Sequence, residues 1–151
     1  MKEYCTVIPA YKKAFDADEK ACTDGFFKTL DCDKFFFVPE NLDISWYEDN
    51  YKESRFVRFP DRYFTGTKGY NKLLLNEHFY DEFSEYRYIL IAQPDAALWS
   101  TGDRIPEFIA KGYDYIGAPW EPERCIWEWT FPKKRGGRIK CLKKKGQGIT
   151  M

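Results

Sequence analysis

Apolar positions along the chain switch repeatedly between a strand period and a helix period. Tyr4-Cys5-Thr6-Val7-Ile8 is a short β-rich run stopped by Pro9, and predicts a buried first strand. Between Ala14 and Leu30, the apolar residues Phe15, Cys22, Phe26 and Leu30 recur at spacings that share one helical face, with Gly25 weakening that helix a little. Phe35 to Val38, before Pro39, predicts a second buried strand. Asp43 can cap a short helix running through Tyr47 and Tyr51. Arg55 to Phe59 alternates polar and apolar and predicts a third strand, closed by Pro60. A loop from Asp61 to Gly69 follows, with Gly66 and Gly69 as hinges. Tyr70 to Phe83 then predicts one helix carrying a stripe of Leu75, Phe79 and Phe83.

Tyr88-Ile89-Leu90-Ile91-Ala92 has the clearest central-strand pattern. A helix around Ile105 to Ala110 and a fifth strand, Tyr113 to Gly117, complete the series. Strands alternating with helices predict an α/β fold with a mostly parallel sheet and helices on both faces. Such sheets bind ligands beyond the carboxyl ends of their strands. The residues of interest are therefore Pro9-Ala10-Tyr11, Pro39-Glu40, Gln93-Pro94-Asp95-Ala96 and Ala118-Pro119-Trp120. After Trp120 the pattern decays. This sets residues 1–120 as an α/β domain and residues 121–151 as an aromatic and basic segment containing Trp127 and Trp129.

The 151 residues fit one domain that buries enough surface to need no disulfides. An aromatic share of 19% exceeds what a minimal core requires, so some rings are expected to line a cleft or an interface. Lys and Arg number 24, as do Asp and Glu, which argues against a general nucleic-acid binder. The charge is uneven, however: residues 16–53 are acidic, and Lys133 to Lys145 is strongly basic. That tail could meet phosphates or an anionic membrane surface, or be a solvated end. Five cysteines without a CxxC pair indicate neither a disulfide framework nor a zinc site, and the natural compartment is a reducing cytoplasm. No signal peptide or membrane span is evident.

Four positions invite chemistry. Asp95 follows the strongest apolar strand, where a carboxylate could ligate a hard divalent cation holding a diphosphate; equally, Pro94-Asp95 is ordinary turn chemistry. Lys68-Gly69-Tyr70-Asn71-Lys72 opens a helix, whose free N–H groups and lysines could meet a phosphate, or the lysines could simply be solvated. Tyr11 could stack on a base or pack on a neighbouring loop. His78 has no Ser or Cys partner by spacing, so a catalytic triad is not expected and a structural or surface role is.

Taken together, Thr6-Val7-Ile8-Pro9-Ala10-Tyr11-Lys12, Gly69 to Leu75, Tyr88 to Ala96 and Tyr113 to Trp120 resemble, in order and spacing, a bacterial family of uncharacterised GT-A-type glycosyltransferases. The resemblance runs from about Tyr4 to Trp120. It implies a GT-A, Rossmann-like fold, a nucleotide-diphospho-sugar donor, a saccharide acceptor and a divalent metal, manganese or magnesium. By position, it implies that Pro9, Ala10 and Tyr11 contact base and ribose. Tyr70, Asn71 and Lys72 would face the donor, and Asp95, beside Ala96, matches the last Asp of a DxD motif and would bind metal or ribose. Trp120 would stack on an acceptor sugar. Gln93 stands where the first Asp of DxD is expected, which weakens or removes metal binding. The chain is also short for the family, as expected of a truncated product or a diverged minimal form. Glu121, Glu123 and Glu128 are the nearby carboxylates that could substitute as base. Two other readings fit the same residues: a non-catalytic nucleotide- or sugar-binding fragment, and a protein-interaction domain using Trp127 and Trp129.

Overall fold

The computed structural model describes residues 2–117. The expectations placed on Ala118 to Trp120, on Trp127 and Trp129, on the three glutamates and on the basic tail lie outside the described residues. Two compact units are present, Met1–Gly112 and Tyr113–Met151. The division falls ahead of the compositional change after Trp120.

The first unit is an α/β layer structure. Strands β1 (Lys2–Pro9), β2 (Asp33–Pro39), β3 (Arg55–Phe59) and β4 (Tyr86–Ile91) form one sheet in the order β3-β2-β1-β4, and every pairing is parallel. Register is set by the buried residues: Val7 lies opposite both Phe35 and Ile91, and Phe37 lies opposite Val57. Among the described residues β4 pairs with β1 alone, so it stands at the edge of this sheet rather than at its centre.

Strand alternation sends successive side chains to opposite faces. One face carries Ile8, Phe36 and Val38. Helices α1 (Ala17–Thr29) and α2 (Ser45–Asn50) cover it with Phe26, Tyr47 and the following Tyr51. The other face carries Cys5, Val7, Phe35 and Phe37. Helices α3 (Thr67–Leu74) and α4 (Glu77–Asp81) cover that one with Leu73, Phe79 and the following Phe83. A fifth short helix, α5 (Ile105–Ile109), adds Ile105 to the first cluster.

The high aromatic content is spent largely inside. Phe36 alone has Phe15, Phe27, Tyr47, Tyr51 and Phe56 within 6.1 Å, centroid to centroid. Fully burying one such ring is worth about 1.5–3 kcal/mol. Tyr11, Tyr80, Trp99, Tyr113 and Tyr115 are the rings left exposed among the described residues.

Helix α1 starts where Asp16 can cap it. Its carboxylate accepts from the Asp18 and Glu19 amides, while Glu19 returns a bond to the Asp16 amide, closing a capping box. Asp43 accepts from the Ser45 amide and hydroxyl at the start of α2.

Three expectations fail locally. The helix expected over Tyr70 to Phe83 is two helices, because the Asn76 side chain accepts the His78 amide and starts α4 anew. The restart shifts the helical phase: Leu73 is buried and Leu75 is 86% exposed, so the Leu75–Phe79–Phe83 stripe does not exist. Gly69 is not a hinge but lies within α3, pressed against the backbone of the 3-10 turn Asp61–Phe64. Tyr113 to Gly117 forms no strand, and Tyr113, Tyr115 and Ile116 are exposed. Aromatic β-propensity reflects packing on a sheet surface, and this segment has no ladder among the described residues.

Candidate functional site

From β1 the chain moves outward to β2 and β3, then returns to the other side of β1 as β4. The order of strands therefore reverses between β1 and β4. At such a point the loops leaving neighbouring strands diverge to opposite faces and open a crevice at their carboxyl ends. The β1–β4 register continues past the strands, where the Ala92 amide donates to the Val7 carbonyl at 3.0 Å. Pro9-Ala10-Tyr11 and Gln93-Pro94-Asp95 consequently leave the sheet on adjacent strands.

The loop after β1 is held on both sides of Tyr11. The Ala10 amide donates to the Phe37 carbonyl at 3.1 Å, and the Tyr47 hydroxyl donates to the Lys12 carbonyl at 2.9 Å. Lys12 Nζ reaches Glu19 Oε1 at 2.6 Å, and this carboxylate holds the lysine pKa above its ordinary value. Pro9 and Ala10 are buried, so contact with a ligand there would come from backbone. Tyr11 itself is 53% exposed, a ring presented from a fixed loop.

The loop after β4 turns at once. The Ala96 amide donates to the Gln93 carbonyl at 3.1 Å, with Pro94 and Asp95 at the corners. This is the turn geometry that Pro-Asp favours. Asp95 and Ala96 are exposed, and Pro94 is buried. Gln93 is tied across to the other layer: its Nε2 donates to the Tyr70 hydroxyl at 2.5 Å. The Tyr70 ring stacks on Phe37 at 6.2 Å. Burial raises the Tyr70 pKa, so the hydroxyl stays neutral near physiological pH and can donate.

The structure thus brings Tyr70 to Gln93 but parts it from Asn71 and Lys72. Tyr70 and Leu73 face the sheet, whereas Asn71 and Lys72 are exposed. Lys72 lines a separate cavity of about 560 Å³ between the 3-10 turn and α3, together with Arg62, Tyr63 and Lys68. Arg62 and Tyr63 were not legible as site residues. The signal that could have found them is Gly69, whose missing side chain lets the turn approach. His78 is exposed and lies 3.3 Å from Asp81, a surface pair.

For a divalent cation the protein side is sparse. No three His, Cys, Asp or Glu side chains gather as a ligand set among the described residues. Gln93 is engaged with Tyr70, leaving Asp95 as a single carboxylate in its turn. That donor set does not fit a preformed metal site.

Comparison with known proteins gives a family match. Residues 53–147, more than half of the chain, match the family described as "Protein of unknown function (DUF5672)". The chain belongs to this family. The match begins just before β3 and takes in α3, β4 and the Gln93–Ala96 turn, but not the loop after β1. No curated protein and no solved structure matches the chain. Among the described residues, no helix is long and apolar enough to cross a membrane.

Proposed function

We propose that this DUF5672 protein is a glycosyltransferase whose described residues bind the donor. It would take a sugar from a nucleoside diphosphate and pass it to a saccharide acceptor, in the synthesis of surface polysaccharide or glycoconjugates. The observation that carries the reading is the reversal of strand order between β1 and β4, the kind of point where parallel sheets bind ligands. That point is bordered by the exposed Tyr11 ring and by the Gln93–Ala96 turn, the segments that resemble GT-A enzymes. In this reading Tyr11 stacks on the base, and the Tyr70 hydroxyl and Gln93 amide meet the donor. Asp95, at the rim, meets the ribose hydroxyls, or a cation held mainly by the donor's own phosphates. Trp120 is assigned to the acceptor sugar from the sequence resemblance alone. In the transfer, the bond from the sugar's anomeric carbon to the diphosphate breaks and the diphosphate leaves with the electron pair. An acceptor hydroxyl forms the new bond and loses its proton to a base. The test is incubation of the full chain with a panel of nucleotide sugars, following nucleoside diphosphate release by chromatography. Release with one donor above a no-protein control supports the reading. No release with any donor refutes the transferase assignment.

One observation favours a second reading, a binding protein without transfer. Gln93 replaces an expected carboxylate and is used to hold Tyr70. Nucleotide binding without donor cleavage would select it.

A further inference from the structure

A cavity lies between the 3-10 turn and α3. Lys68 and Lys72, four residues apart on α3, share a helical face turned away from Tyr70 and Leu73, which face the sheet, and Asn76 follows at the start of α4. The cavity wall carries three cations, Arg62, Lys68 and Lys72, and no carboxylate. None of the three has an ion-pair partner among the described residues, although Lys12, Lys20, Arg55 and Arg104 each have at least one. Three like charges drawn together without a counter-charge are mutually unfavourable, and an anion between them would relieve the repulsion. Arg62 is laid over the Tyr63 ring at 4.9 Å, which orients its guanidinium. Hydrogen bonds from Arg62 and Asn76, and then the charges of Arg62 and Lys72, hold the Tyr63 phenol below its ordinary pKa.

We propose that this cavity is a binding site for a phosphate group carried on a small organic body. A carboxylate would offset one of the three charges, whereas a phosphate monoester or diphosphate carries about −1.5 or more. A planar guanidinium beside two lysine point charges also suits tetrahedral phosphate oxygens. The volume, about 560 Å³, exceeds what one phosphate fills, and Tyr63 and the exposed Leu75 offer apolar contact to whatever it is attached to. The inference does not rest on the glycosyltransferase reading, because the residues differ from those of the crevice.

The same phosphate chemistry could come from a free phosphorylated metabolite or from a lipid headgroup. The experiment uses the full chain with two probes: inorganic pyrophosphate by calorimetry, and phosphatidylcholine vesicles with and without phosphatidic acid by co-sedimentation. Lys68→Gln/Lys72→Gln is the disrupting variant, since both lysines are exposed and its fold can be checked by circular dichroism. Loss of two charge-assisted contacts should weaken binding at least about tenfold. Binding of the wild type should also fall as salt is raised, because the site is open to screening. Pyrophosphate binding lost in the variant, without co-sedimentation, identifies a soluble ligand. Co-sedimentation that needs phosphatidic acid and is lost in the variant identifies a headgroup. No binding of either probe, or binding that the variant leaves unchanged, overturns the site.

Discussion

Replacing Gly69 by alanine tests how α3 is seated. Gly69 lies inside the helix, where alanine is intrinsically better than glycine by about 0.8–1 kcal/mol. The added Cβ, however, would lie 2.7 Å from the Arg62 carbonyl oxygen and 2.9 Å from that of Tyr63. The first contact is about 0.7 Å inside the range of ordinary van der Waals separation. Both opposing atoms are backbone, so no side chain can swing aside; the turn and α3 must move apart. Overpacking of this kind costs about 1–3 kcal/mol, occasionally more. The clash should at least cancel the propensity gain, leaving a net loss of up to about 2 kcal/mol, or up to a few degrees in Tm. Gly25, midway along α1, is the control: a Cβ there meets nothing within 4 Å, so alanine should stabilise by about 0.5–1 kcal/mol. Urea unfolding at one temperature measures both. If Gly69→Ala were as stabilising as Gly25→Ala, the close approach that builds the basic cavity would be refuted.

Other consequences can be checked by the same unfolding assay. Leu73→Ala should cost about 2–5 kcal/mol, and Leu75→Ala less than about 0.5, because the restart at Asn76 leaves Leu75 in solvent; comparable losses would restore the single continuous helix. Tyr70→Phe strips Gln93 of its acceptor and should cost about 1–2 kcal/mol, while no loss would mean the cross-layer bond is not formed in solution. Asp16, Asp43 and Asp61 have carboxyl pKa values below the ordinary one, each held there by hydrogen bonds to its charged form. Their contribution to stability is present above the unfolded pKa of about 4 and is lost as pH falls through the lower folded values. Urea midpoints should therefore drop between pH 5 and pH 3, by less in Asp16→Asn, and a pH-independent midpoint would contradict the capping geometry.

The layer structure was legible because its signals are local. Phe35 to Val38 and Arg55 to Phe59 carry strand pattern in their own residues, and each is bounded by a proline. Asp16 was not singled out, although Asp16 followed by Glu19 is a readable capping box. What failed depends on residues distant in sequence. The helix break at Asn76 is hidden because Leu75 stands four and eight residues before Phe79 and Phe83, the spacing of one continuous helical face, although the buried leucine is Leu73. The basic cavity needs Arg62 brought against Lys68 and Lys72 by the fit of Gly69, which no periodicity records. At the crevice, the strand exits were correctly placed, but that Gln93 would bond Tyr70 and leave Lys72 facing elsewhere follows only from the packing of α3 on Phe37.

The most direct test of the central claim is a thermal-shift titration of the full chain with UDP, GDP, CDP and dTDP, each with manganese and with a chelator. A ligand that binds only the folded state adds about 2.7 kcal/mol at a hundredfold excess over its Kd. The account predicts a rise in Tm with one of the four. That rise should be lost in Tyr11→Ala, be retained in Lys68→Gln/Lys72→Gln, and depend little on manganese, given the single carboxylate of Asp95. A flat response to all four nucleotides, from a sample that melts cooperatively, would contradict it.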